Sequence, residues 1–162
     1  MTDKNFTKPA LDPMTVEPLI GTSYPPEFAG IAAEREKRKL GDALGLSNYG
    51  VNLVHLKPGE ASAQRHWHSK QDEFIYVLEG EVTLITNAGE QILMPGSAAG
   101  FPAGVMDGHH LVNQSDSTAV FLEVGDRTGG DVVEYPDIDL RAGPSADSGF
   151  RYTHKDGTPY KD

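Results

Sequence analysis

The chain has 162 residues, the size of one domain, and its apolar and charged fractions of 38% and 23% are typical of a globular protein. Its formal net charge of −10 disfavours non-specific binding to nucleic acid, because such binding depends on cations that neutralise phosphates. The absence of cysteine excludes disulfides and thiolate metal sites, and no stretch approaches the roughly 20 apolar residues needed to cross a bilayer.

The N-terminal part of the chain differs in pattern from the rest. Residues 1–27 contain many prolines and little periodicity, so they predict an arm that lies over the domain. The opening stretch MTDKNFTKPALDPM lacks the apolar segment of a secretory signal, and we therefore expect a cytoplasmic protein. The next stretch, FAGIAAEREKRKL at 28–40, predicts a short helix whose basic run REKRK is a solvated surface.

From residue 49 the sequence alternates between apolar and polar residues, the pattern of strands with one buried face. Turn signals such as KPG, NAGE, PGS and DRTGG separate these segments at intervals of about 8 to 12 residues. The predicted strands are YGVNLVHL, SAQRHWH, EFIYVLEG, EVTLIT, QILM, HLVNQ, AVFLEVG and DVVEYP. The pattern predicts an all-β sandwich or barrel over residues 28–136, followed by a turn-rich tail at 137–162.

The stretch QRHWHSKQDEF concentrates groups that can bind a metal. Residues i and i+2 of a strand share a face, so His66 and His68 present both imidazoles on one side. A hairpin can return Glu73 beside them, and two imidazoles with a carboxylate suit zinc, iron, manganese or nickel. Asp72 is the rival carboxylate, but adjacent strand residues face opposite ways, so only one of the two can join easily. Taken alone, however, an H-x-H pattern is more often a pair of surface histidines in an exposed hairpin.

Two longer stretches extend this pattern. The first, PGEASAQRHWHSKQDEFIYVLEG, resembles the first cupin motif, in which a glycine precedes H-x-H, four residues, a glutamate, six residues and a glycine. The second, PGSAAGFPAGVMDGHHLVN, resembles the second cupin motif, in which a glycine precedes five residues, P-x-G, a histidine and an asparagine. The two motifs occur in the family's order with a compact gap between them, and the match covers residues 49–124.

This resemblance implies an antiparallel jelly-roll β-barrel that holds one divalent metal ion. The ligand set that it implies is His66, His68, Glu73 and His109. Four residues, VMDG, separate Gly104 from the second histidine pair where the family pattern has two, so His110 is a rival for the last position. Counting back from Asn113, the family's terminal asparagine, selects His109, and His110 would then point to the opposite face of the strand.

Other polar side chains could act on a bound molecule. Gln64 shares the face of the H-x-H histidines, where it could bind a substrate or instead satisfy a backbone group at the barrel mouth. Glu123 would be a candidate general base on an inward strand face, and a partner in a salt bridge on an outward one. Arg65 and Lys70 flank the site and could meet a phosphate at its rim, although flanking cations are usually plain surface.

The chain looks most like the small cupins of the sugar-phosphate-isomerase-like group, which is related to mannose-6-phosphate isomerase. This resemblance implies a metal-dependent isomerase that acts on a small polar molecule. An iron-dependent dioxygenase with the same ligands and a non-catalytic cupin that binds a small ligand stay open as alternatives. Open strand edges and the arm at 1–27 further predict a homodimer, because edge strands are usually covered.

Overall fold

The computed structural model describes residues 9–145 and 150–160, and the parts of the predicted arm and tail at 1–8, 146–149 and 161–162 lie outside the described residues. The helical segments are short: 3-10 turns at Pro13–Thr15 and Gly30–Ala32, α1 at Pro26–Ala29 and α2 at Leu40–Ala43. The strands are β1 (Leu19–Ile20), β2 (Glu36–Lys39), β3 (Tyr49–Leu56), β4 (Trp67–His68), β5 (Glu73–Glu79), β6 (Val82–Thr86), β7 (Gly89–Leu93), β8 (Ala98–Phe101), β9 (His110–Val112), β10 (Ala119–Asp126), β11 (Val133–Tyr135), β12 (Leu140–Gly143) and β13 (Arg151–Thr153). Helices long and apolar enough to span a bilayer do not occur in this part of the chain.

These strands form three sheets whose pairs are all antiparallel. The largest has the order β1-β2-β3-β10-β5-β8, and the others have the orders β13-β12-β11-β4 and β7-β6-β9. A bridge between His66 and His109 links the two smaller sheets, although the described residues do not close into one continuous barrel. The arrangement confirms the predicted all-β class and fits a jelly roll.

The main core lies between the six-stranded and three-stranded sheets. Its buried members are Val54, Leu56, Ile75, Val77, Val82, Leu84, Leu111, Ala119 and Phe121. Burial of each large aliphatic or aromatic side chain stabilises the fold by about 1.5–3 kcal/mol. Alternation places Glu73 on the face of Ile75 and Glu123 on the face of Phe121, so the sheet that forms the core also points both carboxylates inward.

A second apolar cluster joins the two ends of the described chain. It is built on Val133, Tyr135, Leu140 and Ala142. Tyr24, from the N-terminal segment, packs its ring 5.7 Å from that of Tyr135 and 5.5 Å from that of Tyr152. The segments predicted as arm and tail therefore supply strands and core contacts, and the proposed boundaries at 27 and 137 stay a prediction.

The helix predicted over 28–40 is wrong beyond Ala32. Residues Glu36–Lys39 form β2, which pairs antiparallel with β3 from Glu36 opposite His55 to Lys39 opposite Asn52. The charged residues of this stretch have good helix propensity, but pairing with a neighbouring strand decides their conformation.

The expectation of a solvated surface for the run REKRK is wrong for its two arginines, although Lys39 is exposed. Arg35 and Arg38 are only 8% and 9% exposed. Arg35 donates a hydrogen bond of 2.8 Å to the carbonyl of Gly21, and Arg38 donates to the carbonyl of Val16. Both guanidinium groups therefore bind the N-terminal segment to the sheet, because each supplies donors to backbone carbonyls that have no strand partner.

Candidate metal centre

Three histidines and one glutamate converge where the sheets meet. His66 and His109 are held together by two backbone hydrogen bonds, of 3.1 and 2.8 Å, in which each residue's N–H binds the other's carbonyl. His68 lies in β4, and Glu73 begins β5 after the short turn that follows it. Sequence-distant segments therefore deliver the four side chains to one place.

The imidazoles point their Nε2 atoms at a single carboxylate oxygen. Oε2 of Glu73 lies 2.8 Å from Nε2 of His109 and 3.5 Å from Nε2 of both His66 and His68. The ligand atoms of His66, His68 and Glu73 all lie within 4.8 Å of one another, close enough to share a metal ion. His109 is not a member of that group of three, although it makes the shortest contact with Glu73.

The remaining ring nitrogens show how these imidazoles are oriented. Nδ1 of His66 lies 2.7 Å from the carbonyl of Gln64, and because a carbonyl only accepts, Nδ1 is the donor and Nε2 is the nitrogen that remains to bind a metal. Nδ1 of His68 lies 2.6 Å from Oδ2 of Asp131. The ring of His109 stacks on Phe101 with centroids 3.6 Å apart, and its buried Nδ1 has no hydrogen-bond partner within residues 9–145 and 150–160.

Asp131 is the functional candidate that the sequence did not indicate. Its carboxylate is 5% exposed and also accepts hydrogen bonds from the hydroxyl of Ser69 and the backbone N–H of Lys70. A carboxylate on the outer nitrogen of a histidine is a common device for orienting a metal ligand. Asp131 is 63 residues from His68 in the chain, and only the pairing of β11 with β4 brings them together.

The charges of the site shift the pKa values of its members. Burial lowers the pKa of His68, but the hydrogen bonds and charges of Glu73 and Asp131 outweigh this and raise it from 6.5 to about 9. Burial raises the pKa of Glu73, but hydrogen bonds from the three histidines outweigh that effect and hold it well below 4.5. The pKa of His109 is lowered, mainly by burial. An ionised carboxylate with imidazoles is a donor set that divalent transition metals accept, so these residues fit such an ion.

The cluster lines a cavity of about 330 Å³, a size suited to a small molecule. Ile75 and Phe121 supply part of its apolar wall. Tyr24 and Tyr135 line it as well, and burial raises the pKa of Tyr24 to about 12, so this phenol is neutral over the physiological range.

Of the two residues predicted to act on a bound molecule, Glu123 lies in the cavity wall and Gln64 binds the backbone. Glu123 lines the cavity, and its Oε1 also accepts a hydrogen bond of 2.8 Å from Nζ of Lys37, so it is both inward-facing and ion-paired. Gln64 donates a hydrogen bond of 2.9 Å from Nε2 to the carbonyl of Phe28. Of the two roles considered for Gln64, this contact is the one in which it satisfies a backbone group.

Arg65, which flanks the H-x-H histidines, and His110, the rival ligand, both bind groups other than Glu73. Arg65 forms two hydrogen bonds of 2.7 Å with the carboxylate of Asp137. His110 donates from Nδ1 to the carbonyl of Ala63 at 2.9 Å, and it lines the cavity instead of pointing away from it. Burial lowers the pKa of His110.

Comparison with known proteins identifies the fold family. A cupin domain model matches residues 52–125. The crystal structure of a sugar phosphate isomerase from a cupin superfamily, from Silicibacter pomeroyi, is 45% identical, with a TM-score of 0.89 over 94% of this chain and 97% of that one. The chain belongs to the cupin superfamily.

More distant relatives share the fold of this cupin. A putative sugar phosphate isomerase from Acidithiobacillus ferrooxidans is 31% identical, with a TM-score of 0.70 over 80% of this chain and 82% of that one. The polyketide cyclase RemF from Streptomyces resistomycificus is 24% identical, with a TM-score of 0.61 over 74% of this chain and 80% of that one, and it supports the cupin fold alone. Among curated proteins, none matches this cupin.

Proposed function

We propose that this cupin is a metal-dependent isomerase of a small hydroxy-carbonyl compound, with a sugar phosphate as the substrate class. The observation behind the proposal is the convergence of three imidazole Nε2 atoms on Glu73 in a cavity that Glu123 also lines. The solved relatives described as a sugar phosphate isomerase and a putative one, at 45% and 31% identity, support this substrate class.

In this proposal His66, His68, Glu73 and His109 hold one divalent ion. When bound, the ion supplies a Lewis acid that polarises the carbonyl oxygen and the neighbouring hydroxyl oxygen of the substrate. The carbonyl of Gln64 and the carboxylate of Asp131 keep the rings of His66 and His68 in fixed orientations. Ile75 and Phe121 form an apolar part of the wall beside these residues.

Glu123 is the proposed general base. It lies directly opposite Ile75 in the sheet, and Glu73 is two residues from Ile75 on the same face, so Glu73 and Glu123 are diagonal neighbours whose Cβ atoms are somewhat less than about 7–8 Å apart. Lys37 and Asn52 both contact Oε1 of Glu123. Oε2 is therefore the atom that would take the proton from the carbon between the two substrate oxygens.

Hydrogen exchange tests this proposal directly. The metal-loaded protein is incubated with aldose and ketose phosphates in deuterated water, and isomerisation through proton removal should place deuterium on the carbon next to the carbonyl. Glu123→Gln should abolish the exchange and keep the metal. If no aldose or ketose phosphate exchanged, the isomerase proposal would fail, and the dioxygenase or non-catalytic ligand-binding alternatives would replace it.

A further inference from the structure

Strand β2 and the residue before it, Arg35, present cations to the cavity that holds Glu73. Arg35, Lys37 and Lys39 occupy alternate positions along the chain, so they share one face of the sheet, and all three line the cavity. The protein as a whole has a net charge of −10, so a row of positive side chains over five residues is contrary to its overall charge. We call these three residues the cationic row.

The register of the six-stranded sheet fixes where the cationic row lies. Lys39 is opposite Asn52, and Asn52 is opposite Glu123, which is opposite Ile75, so these residues form one line across four strands. Glu73 is two residues before Ile75 on the same face. The backbones of β2 and β5 are three strand spacings apart, about 14 Å. Side chains that enter the cavity from both strands shorten this gap to the length of a small organic molecule.

The members of the cationic row differ in how far they are neutralised. Lys37 is paired with Glu123 at 2.8 Å. Arg35 donates to the carbonyls of Gly21 and Ser62, which carry no full charge, and its buried Nε has no hydrogen-bond partner among the described residues. Lys39 has an exposed side chain at the cavity mouth. Arg35 and Lys39 therefore leave positive charge in the cavity beyond what Glu123 offsets.

We propose that the cationic row is an anion subsite that binds the phosphoryl group of the substrate, while the opposite end of the molecule reaches the cluster around Glu73. A phosphate monoester has about two negative charges and three strong acceptor oxygens, which suit an ammonium and a guanidinium N–H together. Lys39 supplies an ammonium group at the mouth, and the guanidinium of Arg35, which is fixed by its hydrogen bonds to two backbone carbonyls, supplies positive charge in the wall. This subsite rests on the proposed function, since it assigns one part of that substrate to one part of the cavity.

Binding of an unreactive ligand pair tests the subsite. Sorbitol 6-phosphate and sorbitol lack a carbonyl group, so neither can be isomerised, and they differ only in the phosphoryl group. Their dissociation constants are measured by calorimetry on the metal-loaded protein and on Lys39→Gln. The matched control is Lys57→Gln, because Lys57 is an exposed lysine that is paired with Glu34. We expect Lys39→Gln to raise the dissociation constant for sorbitol 6-phosphate about tenfold, which is the effect of losing a hydrogen bond to a charged group. Lys57→Gln should leave that constant unchanged.

Two results would overturn the subsite: equal or absent binding of the two polyols by the unmutated protein, or the same affinity for sorbitol 6-phosphate in Lys39→Gln and Lys57→Gln. The deuterium experiment separates this failure from failure of the proposed function. Exchange that does not depend on Lys39 would leave the isomerase without the subsite. Phosphate-dependent binding that is lost in Lys39→Gln, with no exchange on any substrate, would leave the subsite in a protein that is not an isomerase.

Discussion

The contact between Asp131 and His68 is the residue-scale feature with the clearest consequence. Asp131→Asn keeps the shape of the side chain but removes the charge that lies 2.6 Å from Nδ1 of His68. We expect the affinity for a divalent metal to fall about 10- to 100-fold, the usual effect of losing such an orienting partner. Isothermal titration with manganese measures the change.

The chain offers a matched control for this substitution. Nδ1 of His154 lies 2.8 Å from Oδ2 of Asp139, a similar pair that is far from Glu73 in the sequence and does not line the cavity. Asp139→Asn should leave the metal affinity unchanged. Equal losses in both variants would show that the effect of Asp131 is not specific to the site.

The histidine pair at 109 and 110 gives a second prediction. Nε2 of His109 lies 2.8 Å from Glu73, whereas His110 binds the carbonyl of Ala63. His109→Ala should therefore abolish stoichiometric metal binding, and His110→Ala should retain it, as measured by elemental analysis of the purified proteins. The opposite outcome would make His110 the fourth ligand.

Protons should compete with the metal at His68. Its pKa of about 9 means that the ring of the metal-free protein is protonated below that pH, and binding must then release the proton. The apparent affinity for the metal should fall about tenfold for each pH unit below 9. If His68 had the ordinary histidine pKa of about 6.5, this fall would begin only below pH 6.5. Competition against a chelator of known affinity measures this, and a constant affinity between pH 7 and 9 would contradict it.

The sequence indicates the candidate metal ligands, but it does not indicate the residues that orient them, such as Asp131. Strand alternation and the two motifs indicate His66, His68, Glu73 and His109, because each lies within a short local pattern. Asp131 has no such pattern, since the register of β11 against β4 alone places it beside His68.

At the scale of the elements, the turn that ends β5 depends on a glycine. Gly80 has a φ of +68°, and a Cβ there would lie 2.7 Å from the carbonyl oxygen of Thr118 and 2.9 Å from Cα of Ala119. Gly80→Ala should therefore cost about 1 kcal/mol for the left-handed backbone and about 1–3 kcal/mol more for the clash. Urea denaturation of the metal-free protein gives the free energy of unfolding.

Gly59 is the matched control for this clash. It also has a positive φ, of +84°, but nothing lies within 4 Å of a Cβ built there. Gly59→Ala should cost only the backbone contribution. If the two variants lost the same stability, the packing against Thr118 and Ala119 would have no measurable effect.

The predicted strands agree with the structure where both alternation and turn signals are present. The segment YGVNLVHL is β3 from Tyr49 to Leu56, with the bounds that the pattern indicates. β8, Ala98–Phe101, was not predicted because its residues AAGF have neither alternation nor strong strand propensity. β2 was missed for a different reason, since its charged residues resemble a helix until β3 pairs with them.

At the scale of the whole molecule, the outer face of β5 is apolar and exposed. Phe74, Tyr76 and Leu78 are 44%, 40% and 40% exposed and lie on the face opposite the core. An apolar sheet face of this kind favours association, and the homodimer predicted from the sequence would cover it. We expect the protein to sediment as a dimer of 17.5 kDa chains at micromolar concentration.

Charge introduced on this face should dissociate the dimer. Leu78→Glu should sediment as a monomer, because association would bury an unpaired carboxylate. Leu44→Glu is the matched control, since Leu44 is 43% exposed but lies at the end of α2. A monomeric unmutated protein, or a dimer that persists in Leu78→Glu, would exclude this face as the interface.

The cavity wall built from both ends of the described chain has a consequence for biosynthesis. Tyr24 and Tyr152 pack together and both line the cavity, whereas His66, Glu73 and His109 come from the middle of the chain. A ribosome therefore synthesises all the candidate ligands before Tyr152. Translation thus delivers Tyr24 first, the candidate ligands next and the C-terminal part of the wall, with Tyr152, last.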